Sequence, residues 1–527
     1  MSSEKRIFLQ KILLFSHISA KIKKRMTGGE SVDGAKSPAG RGPGIKENKM
    51  GVMPVGKLLF VMALPMVISM LMQAMYNIVD SMFVGMISLT DDHALTALSL
   101  AFPIQHLMIA FASGTGVGIN AYLSRSLGEK NGEAVNRSAG NGLLLIFLTN
   151  ILFILFGVFG TRLYFGWVTS IPEVYEYGVD YMFVVTAFSI GLFFQVTFER
   201  LLQSTGKTML SMASQLTGAI INIILDPIFI LNKGTRIFFF DLPFGLGLGT
   251  RGAAIATVIG QCAAALLGLY LNLRHNKEIS FGFRYLKPQK KIIATIYKVG
   301  APSIFMMAVG SFLTMALNGI LTLGEAVKYA VPIEATKQIG VTVYGAYFKL
   351  QSFIFMPVFG LNNGMIPIVA YNFGARRKKR IVKTILLAVI AAVSYMLFGV
   401  AIFELFPAEL LSIFSITPEA MEVGVTALRE ICLCFIFAGV CIITISSLQA
   451  LGRGVSSLII SLIRQIVVIL PLSYIFAVTL GLDYVWYAFP IAEGVALIIS
   501  VFVFGRTYKK LIAPMPERVE NKEPEEA

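Results

Sequence analysis

The sequence predicts an all-α integral membrane protein, with twelve transmembrane helices in two six-helix bundles related by a pseudo-twofold axis. Three observations lead there. Hydrophobic residues make up 56% of the 527 positions and charged residues only 14%, a balance outside the range of soluble domains. The apolar residues gather into runs about as long as a bilayer is thick, separated by short polar turns. One pattern of punctuation also occurs twice at an offset of 246 residues: Gly114, Gly118 and Gly128 are echoed by Gly360, Gly364 and Gly374, and Leu202-Gln203 with Gly206-Lys207 by Leu448-Gln449 with Gly452-Arg453. A register shared by separate segments argues for a duplicated bundle, a build typical of secondary transporters.

A hydrocarbon core about 30 Å thick needs about 20 apolar residues per helix. Runs of that order read as 57–86, 94–125, 136–164, 177–202, 207–232 and 250–273, then 293–323, 338–371, 381–406, 421–449, 455–480 and 484–506. The fourth and fifth are separated by a few residues and should form a tight hairpin. Six runs precede the polar segment 274–292 and six follow it, so the two sets share one orientation, as a parallel repeat requires. The expected organisation is a basic, mostly disordered tail over 1–56, a first lobe over 57–273, a linker over 274–292, a second lobe over 293–506 and a C-terminal tail over 507–527. Pro65, Pro103, Pro227, Pro302, Pro367, Pro471 and Pro490 each remove a backbone donor within a run, making them the expected places for kinks or breaks that line a cavity.

Basic residues set the orientation, because short loops rich in Lys and Arg stay in the cytoplasm. The N-terminal tail, the linker (Arg274, Lys277, Arg284, Lys287, Lys290, Lys291) and the loop Arg376 to Arg380 fall on one side. The opposite loops carry Asp91, Asp92, Glu173, Glu176, Glu409 and Glu419, with Lys233, Arg236 and Arg251 diluting the contrast. Both termini are expected in the cytoplasm of a multi-pass cell-membrane protein. A net charge of +15 is thereby placed beside anionic headgroups, which removes nucleic acid as the expected partner. In the tail, Ile7 to Phe15 is interrupted by Lys11 and followed by Lys21, Lys23, Lys24 and Arg25, giving no signal-peptide core; an interfacial amphipathic helix is compatible with it. The four cysteines, Cys262, Cys432, Cys434 and Cys441, lie within runs and form no metal or disulfide framework.

The sharpest chemical signals are carboxylates inside apolar runs. Asp80 follows Tyr76 and Asn77 in the first run, and Asp226 precedes Pro227 in the fifth. An acid at mid-bilayer costs about 3 kcal/mol on insertion scales and is a functional residue by default. Asn222 and Asp226 are spaced i, i+4 and share a helix face, while Pro227 frees the carbonyl of residue 223. A carboxylate, an amide oxygen and a free carbonyl suit a hard cation such as Na⁺, and a desolvated carboxylate equally suits a proton. Gln73, Asn77, Gln195, Lys349 and Gln351 are the further polar positions that would line a substrate cavity. Glu199-Arg200 and Arg429-Glu430 are adjacent opposite charges, the first pair near the cytoplasmic end and the second deeper, where neutralising contacts within the bundle are expected rather than catalysis, and His106 reads as a packed polar residue. The 23 Met and 40 Phe offer soft and aromatic surface for varied organic cations.

With these residues in place, the chain resembles the multidrug and toxic compound extrusion (MATE) family over about residues 55–506. The resemblance rests on Pro65, Tyr76-Asn77-Ile78-Val79-Asp80 and Phe83-Val84-Gly85, the Leu202-Gln203 and Gly206-Lys207 turn, Asn222 with Asp226-Pro227, and Gly252 to Thr257. It implies two lobes forming a V and export of amphipathic, often cationic compounds against inward Na⁺ or H⁺ flow. It also implies a cation site inside the first lobe, at Asp80, Asn222 and Asp226 with Thr257 as a further ligand. Acids used in the second lobe by some branches find only Glu325, at the outer end of the seventh run, and Glu430, beside Arg429.

The resulting expectation is a monomeric antiporter of small organic cations with no enzymatic activity and no cofactor besides the coupling ion. An exporter of a lipid-linked or endogenous metabolite is the alternative, which would want a cavity rich in Lys and Arg. A membrane enzyme such as a prenyl-chain transferase would need an Asp-rich metal motif, for which Asp91-Asp92 is insufficient. Carried forward by 246 residues, Asn222 and Asp226 fall on Val468 and Leu472, so the acids do not follow the repeat.

Overall fold

A computed structural model describes residues 48–87, 93–237, 240–242, 244–414 and 416–516. The expectations for the amphipathic segment near Ile7, the rest of 1–47, the loop acids Asp91 and Asp92, and the end of the C-terminal tail lie outside these residues. Ten helices are each long and apolar enough to cross a membrane, and two bent pairs bring the total among the described residues to twelve. In chain order they are α1 (Val55–Gly85), α2 (His93–Gly128), α3 (Gly132–Val168), α4 (Pro172–Ala187 with Ile190–Ser204), α5 (Thr208–Ile230) and α6 (Gly249–His275). There follow α7 (Lys290–Tyr329), α8 (Ile339–Gly374), α9 (Lys378–Leu405), α10 (Pro418–Cys432 with Phe435–Ala450), α11 (Gly454–Thr479) and α12 (Leu482–Ile512). A two-residue hairpin, β1 (Arg236–Ile237) with β2 (Phe240–Asp241), joins α5 to α6.

The repeat is visible in backbone geometry. Gly206 and Gly452 both adopt positive φ, 84° and 76°, and Lys130 and Arg376 do so at 57° and 58°. Each glycine closes a turn with the same bonds: Lys207 N–H to the Leu202 carbonyl and Arg453 N–H to the Leu448 carbonyl, both 2.8 Å. Only glycine adopts that left-handed conformation without a steric cost. Packing repeats too. Within the first half α1 meets α5, α2 meets α4, α4 meets α6 and α5 meets α6; α7–α11, α8–α10, α10–α12 and α11–α12 are the counterparts. Across the halves α1 packs on α8 and α2 on α7, two contacts that exchange under a twofold axis.

Those cross-contacts concentrate at the end of the bundle that carries the basic turns, and glycine makes them possible. A methyl at Gly364 would lie 2.7 Å from the Ala63 Cα, and one at Gly360 2.6 Å from the Val67 nitrogen. A methyl at Gly114 would lie 2.7 Å from the Ile304 nitrogen, while at Gly128 and Gly374 it would collide with the carbonyls of Tyr371 and Arg125. Further along α7 and α8, Gly310, Gly319 and Gly345 have nothing within 4 Å of that position. The halves therefore touch backbone to backbone at the basic end, where Arg200 also donates to the Asn363 side chain at 2.9 Å.

One expectation is corrected. The spans do not break at Pro65, Pro103, Pro227, Pro302 or Pro367, which sit inside continuous helices. The sharp bends, 45° and 48°, fall at Phe188-Ser189 in α4 and Leu433-Cys434 in α10. At the first bend a side-chain partner holds the break, Asn150 donating to the Ser189 hydroxyl at 2.8 Å. The described end of the 1–56 tail packs against both halves. Lys49–Val52 forms a helical turn capped by Asn48, whose amide reaches the Thr205 carbonyl at 3.0 Å and Glu278 at 3.3 Å. Arg380 and Asn372 hold its carbonyls from the other half. Arg429 and Glu430 each meet a partner elsewhere in the bundle: Arg429 faces Glu404 at 3.8 Å, and Glu430 bonds Tyr487.

Candidate functional site

Helices α5 and α6 approach closely because small residues face each other. A methyl at Gly260 would lie 2.7 Å from the Gly218 carbonyl oxygen, and one at Gly252 would collide with that of Phe229. This seam delivers Asn222 of α5 to Thr257 of α6. The Asn222 amide donates to the Thr257 hydroxyl at 3.3 Å and to Asp226 Oδ1, one helical turn along, at 3.0 Å. Asp226 is fully buried, and Asn222 and Thr257 nearly so. Asp80 of α1 lies close enough for its charge to interact with that of Asp226, and Tyr76 and Tyr181 lie in range of both acids.

The donors run out before the acceptors do. Asp80 Oδ1, Asp226 Oδ2 and Asn222 Oδ1 are buried with no hydrogen-bond partner among the described residues. Neither acid forms an ion pair there. Two buried negative charges without a cation carry both a desolvation cost and mutual repulsion. A proton or a small hard cation relieves both, and the unpartnered oxygens are the ligand type such a cation takes. Among the described residues no three His, Cys, Asp or Glu cluster as a metal site of those ligands would need.

Asp80, Asn222, Asp226 and Thr257 are thus neighbours, whereas the substrate-cavity candidates scatter. Gln73 accepts from Gln215 at 3.2 Å on the α1–α5 seam, two turns from Asp80 toward the basic end. Gln195 donates to Glu199 at 3.0 Å, so Glu199 is held by an amide while Arg200 turns to Gln203 and Asn363. Asn77 is exposed and Gln351 half-buried. Lys349 is exposed with its ammonium 5.7 Å from the Phe414 ring centroid. His106 stacks on Phe102, and Glu325 accepts the Gly340 N–H at the start of α8.

Sequence reasoning missed two features. Tyr181, from α4, is buried at the acids with its hydroxyl toward Gln105 at 3.4 Å; a tyrosine in an apolar run gave no distinguishing signal. In the second half, Arg464 of α11 and Glu493 of α12 form a buried ion pair at 2.9 Å. Arg464 lies in a π-helical turn, Ile463–Ile469, and opposite charges inside consecutive apolar runs were the available clue.

The family model MatE matches the chain in two stretches, residues 65–228 and 302–475. The chain belongs to the MATE family. One stretch opens at Pro65 in α1 and the other at Pro302 in α7, so the family match divides between the two halves. Among curated relatives, the multidrug export protein MepA of Staphylococcus haemolyticus is 29% identical over 450 residues, covering 84% of this chain and 91% of that protein. MepA of Staphylococcus aureus is 27% identical over 478 residues, covering 89% and 97%. Among solved structures, the outward-facing conformation of a multidrug resistance MATE family transporter of the MOP superfamily superposes with a TM-score of 0.80 at 24% identity, covering 89% of this chain and 99% of that one. A MOP superfamily transporter from Pyrococcus furiosus gives the same values. This chain thus shares the MATE fold of a multi-pass membrane transporter.

Proposed function

We propose that this MATE protein is a secondary active antiporter that exports amphipathic or cationic organic compounds, drugs among them, in exchange for Na⁺ or H⁺. The multidrug export named for its MepA relatives supports the substrate class, and the three unpartnered acceptor oxygens at Asp80, Asn222 and Asp226 carry the coupling. The working units are the lobes 57–273 and 293–506 joined by 274–292, in a monomer that performs no covalent chemistry. The positive-inside rule puts both termini and the basic end in the cytoplasm, so the closed end faces inward and the substrate path opens outward.

Asp80 and Asp226 sit one to two turns from the outer ends of α1 and α5. A cation entering from outside meets them without crossing the closed glycine contacts. Its binding joins α1, α5 and α6 through Asp80, Asn222, Asp226 and Thr257, and it drives transport only through a different affinity in the two states. Release to the cytoplasm resets the lobes. Counterflow in proteoliposomes with separately imposed Na⁺ and pH gradients tests this: one gradient should drive uptake of a fluorescent organic cation. Equal rates with and without either gradient would overturn coupling.

A further inference from the structure

The two repeat-related turns are finished differently. In the first, Gly206 is covered by the segment at Asn48 to Met50, and Lys207 pairs with Glu278 at 2.8 Å. Burial, and then the Lys207 charge, hold the neighbouring Lys49 ammonium below its ordinary pKa. That turn is full, with a protein carboxylate among its cations. In the second, nothing lies within 4 Å of a methyl position at Gly452. Arg453, the counterpart of Lys207, has no carboxylate partner among the described residues. It lines instead a cavity of about 390 Å³ with Arg125 of α2 and Lys298 of α7. Lys298 likewise lacks an acid, and Arg125 is shared between Glu129 at 2.9 Å and the face of Phe373. The same cavity has an apolar wall of Phe373, Leu451 and Leu511.

We propose that this cavity binds the phosphate headgroup of an anionic phospholipid from the leaflet at the basic end, and that binding favours the state in which the halves are closed there. The cations supply the charge complement, since a basic residue near an anionic headgroup attracts it. The apolar wall accepts the glycerol and upper acyl carbons, which a free phosphate would leave unused. The linkage to conformation follows from the lining: α2 and α7, from opposite halves, meet at this end, with Gly118 against the Ile296 carbonyl. A ligand contacting both stabilises their contact.

The test uses the full chain in nanodiscs of phosphatidylcholine with and without phosphatidylglycerol, reading bound lipid by native mass spectrometry and thermal stability by intrinsic fluorescence. Phosphatidylglycerol should be retained by wild type and lost by about fivefold for each cation removed in Lys298→Ser and Arg453→Ser, and by roughly 25-fold in the double variant. The variants should melt as wild type does in phosphatidylcholine alone, which separates lost binding from lost fold. Equal retention by wild type and double variant would overturn the site. Stabilisation by inorganic phosphate or glycerol 1-phosphate to the same extent, in phosphatidylcholine, would overturn the lipid in favour of a soluble anion. A chain ending at Pro516 that binds phosphatidylglycerol far more tightly than the full chain would overturn it in favour of the acidic C-terminal segment carrying Glu517, Glu520, Glu523, Glu525 and Glu526.

Discussion

Asp226 on α5 and Glu493 on α12 are buried acids on repeat-related helix pairs, and their partners differ in one respect that decides what each can do. Asp226 is held by a neutral amide, Asn222, and keeps one oxygen unpartnered beside a second acid. Glu493 is held at 2.9 Å by a guanidinium, whose charge is permanent. On the proposed function, the positive charge that the second site carries in its own sequence comes to the first from outside, so that one scaffold would hold an exchangeable site in one half and a fixed pair in the other.

The comparison breaks first at the acids. Asp80→Asn and Asp226→Asn should reduce gradient-driven transport in proteoliposomes to the rate of protein-free vesicles while membrane abundance is kept; near-wild-type transport in both would mean the orphan oxygens are not the coupling site. Next in size is the fixed pair. Arg464→Met alone strands a buried carboxylate and should cost about 3–5 kcal/mol, seen as a large fall in melting temperature. Arg464→Met with Glu493→Met should recover most of it and still transport. Loss of ion-driven transport in a double variant of wild-type stability would make the second half part of the coupling.

Thr257→Ala sharpens the first site by a smaller step. It removes one hydrogen bond from Asn222, about 1 kcal/mol or roughly fivefold in apparent ion affinity, and Thr257→Ser should restore it in a titration of transport against ion concentration. The smallest effect is expected at Lys349→Gln and Gln351→Ala, whose side chains are exposed and half-buried: drug efflux within about twofold of wild type, on the scale of ordinary surface substitutions. A tenfold loss at either would place the substrate path along α8.

Much of this was legible because it is local or periodic. Span length follows from the bilayer's thickness, the i, i+4 placement of Asn222 and Asp226 from helical pitch, and the repeat from glycines that recur because positive φ or backbone contact requires them. Thr257 joined the site through family resemblance, since nothing in its own neighbourhood distinguishes a threonine on an alanine-rich helix. Proline misled about where the sharp breaks fall, because a missing donor is a local fact while a sharp break also needs a partner such as Asn150 from another helix. Which partners Arg429 and Glu430 meet was not legible, since adjacent residues on a helix point about 100° apart and meet different neighbours.

The sequence by itself determined the membrane, the twelve spans, the doubling and the presence of acids inside the first half, since each depends on hydropathy, spacing or residue identity along the chain. Only the tertiary structure decided that Asp80 and Asp226 come within electrostatic range of each other, that three of the oxygens there lack a donor, and that Glu493 has its arginine. Whether a buried charge is answered is a property of neighbours brought from distant parts of the chain, and no local pattern encodes it.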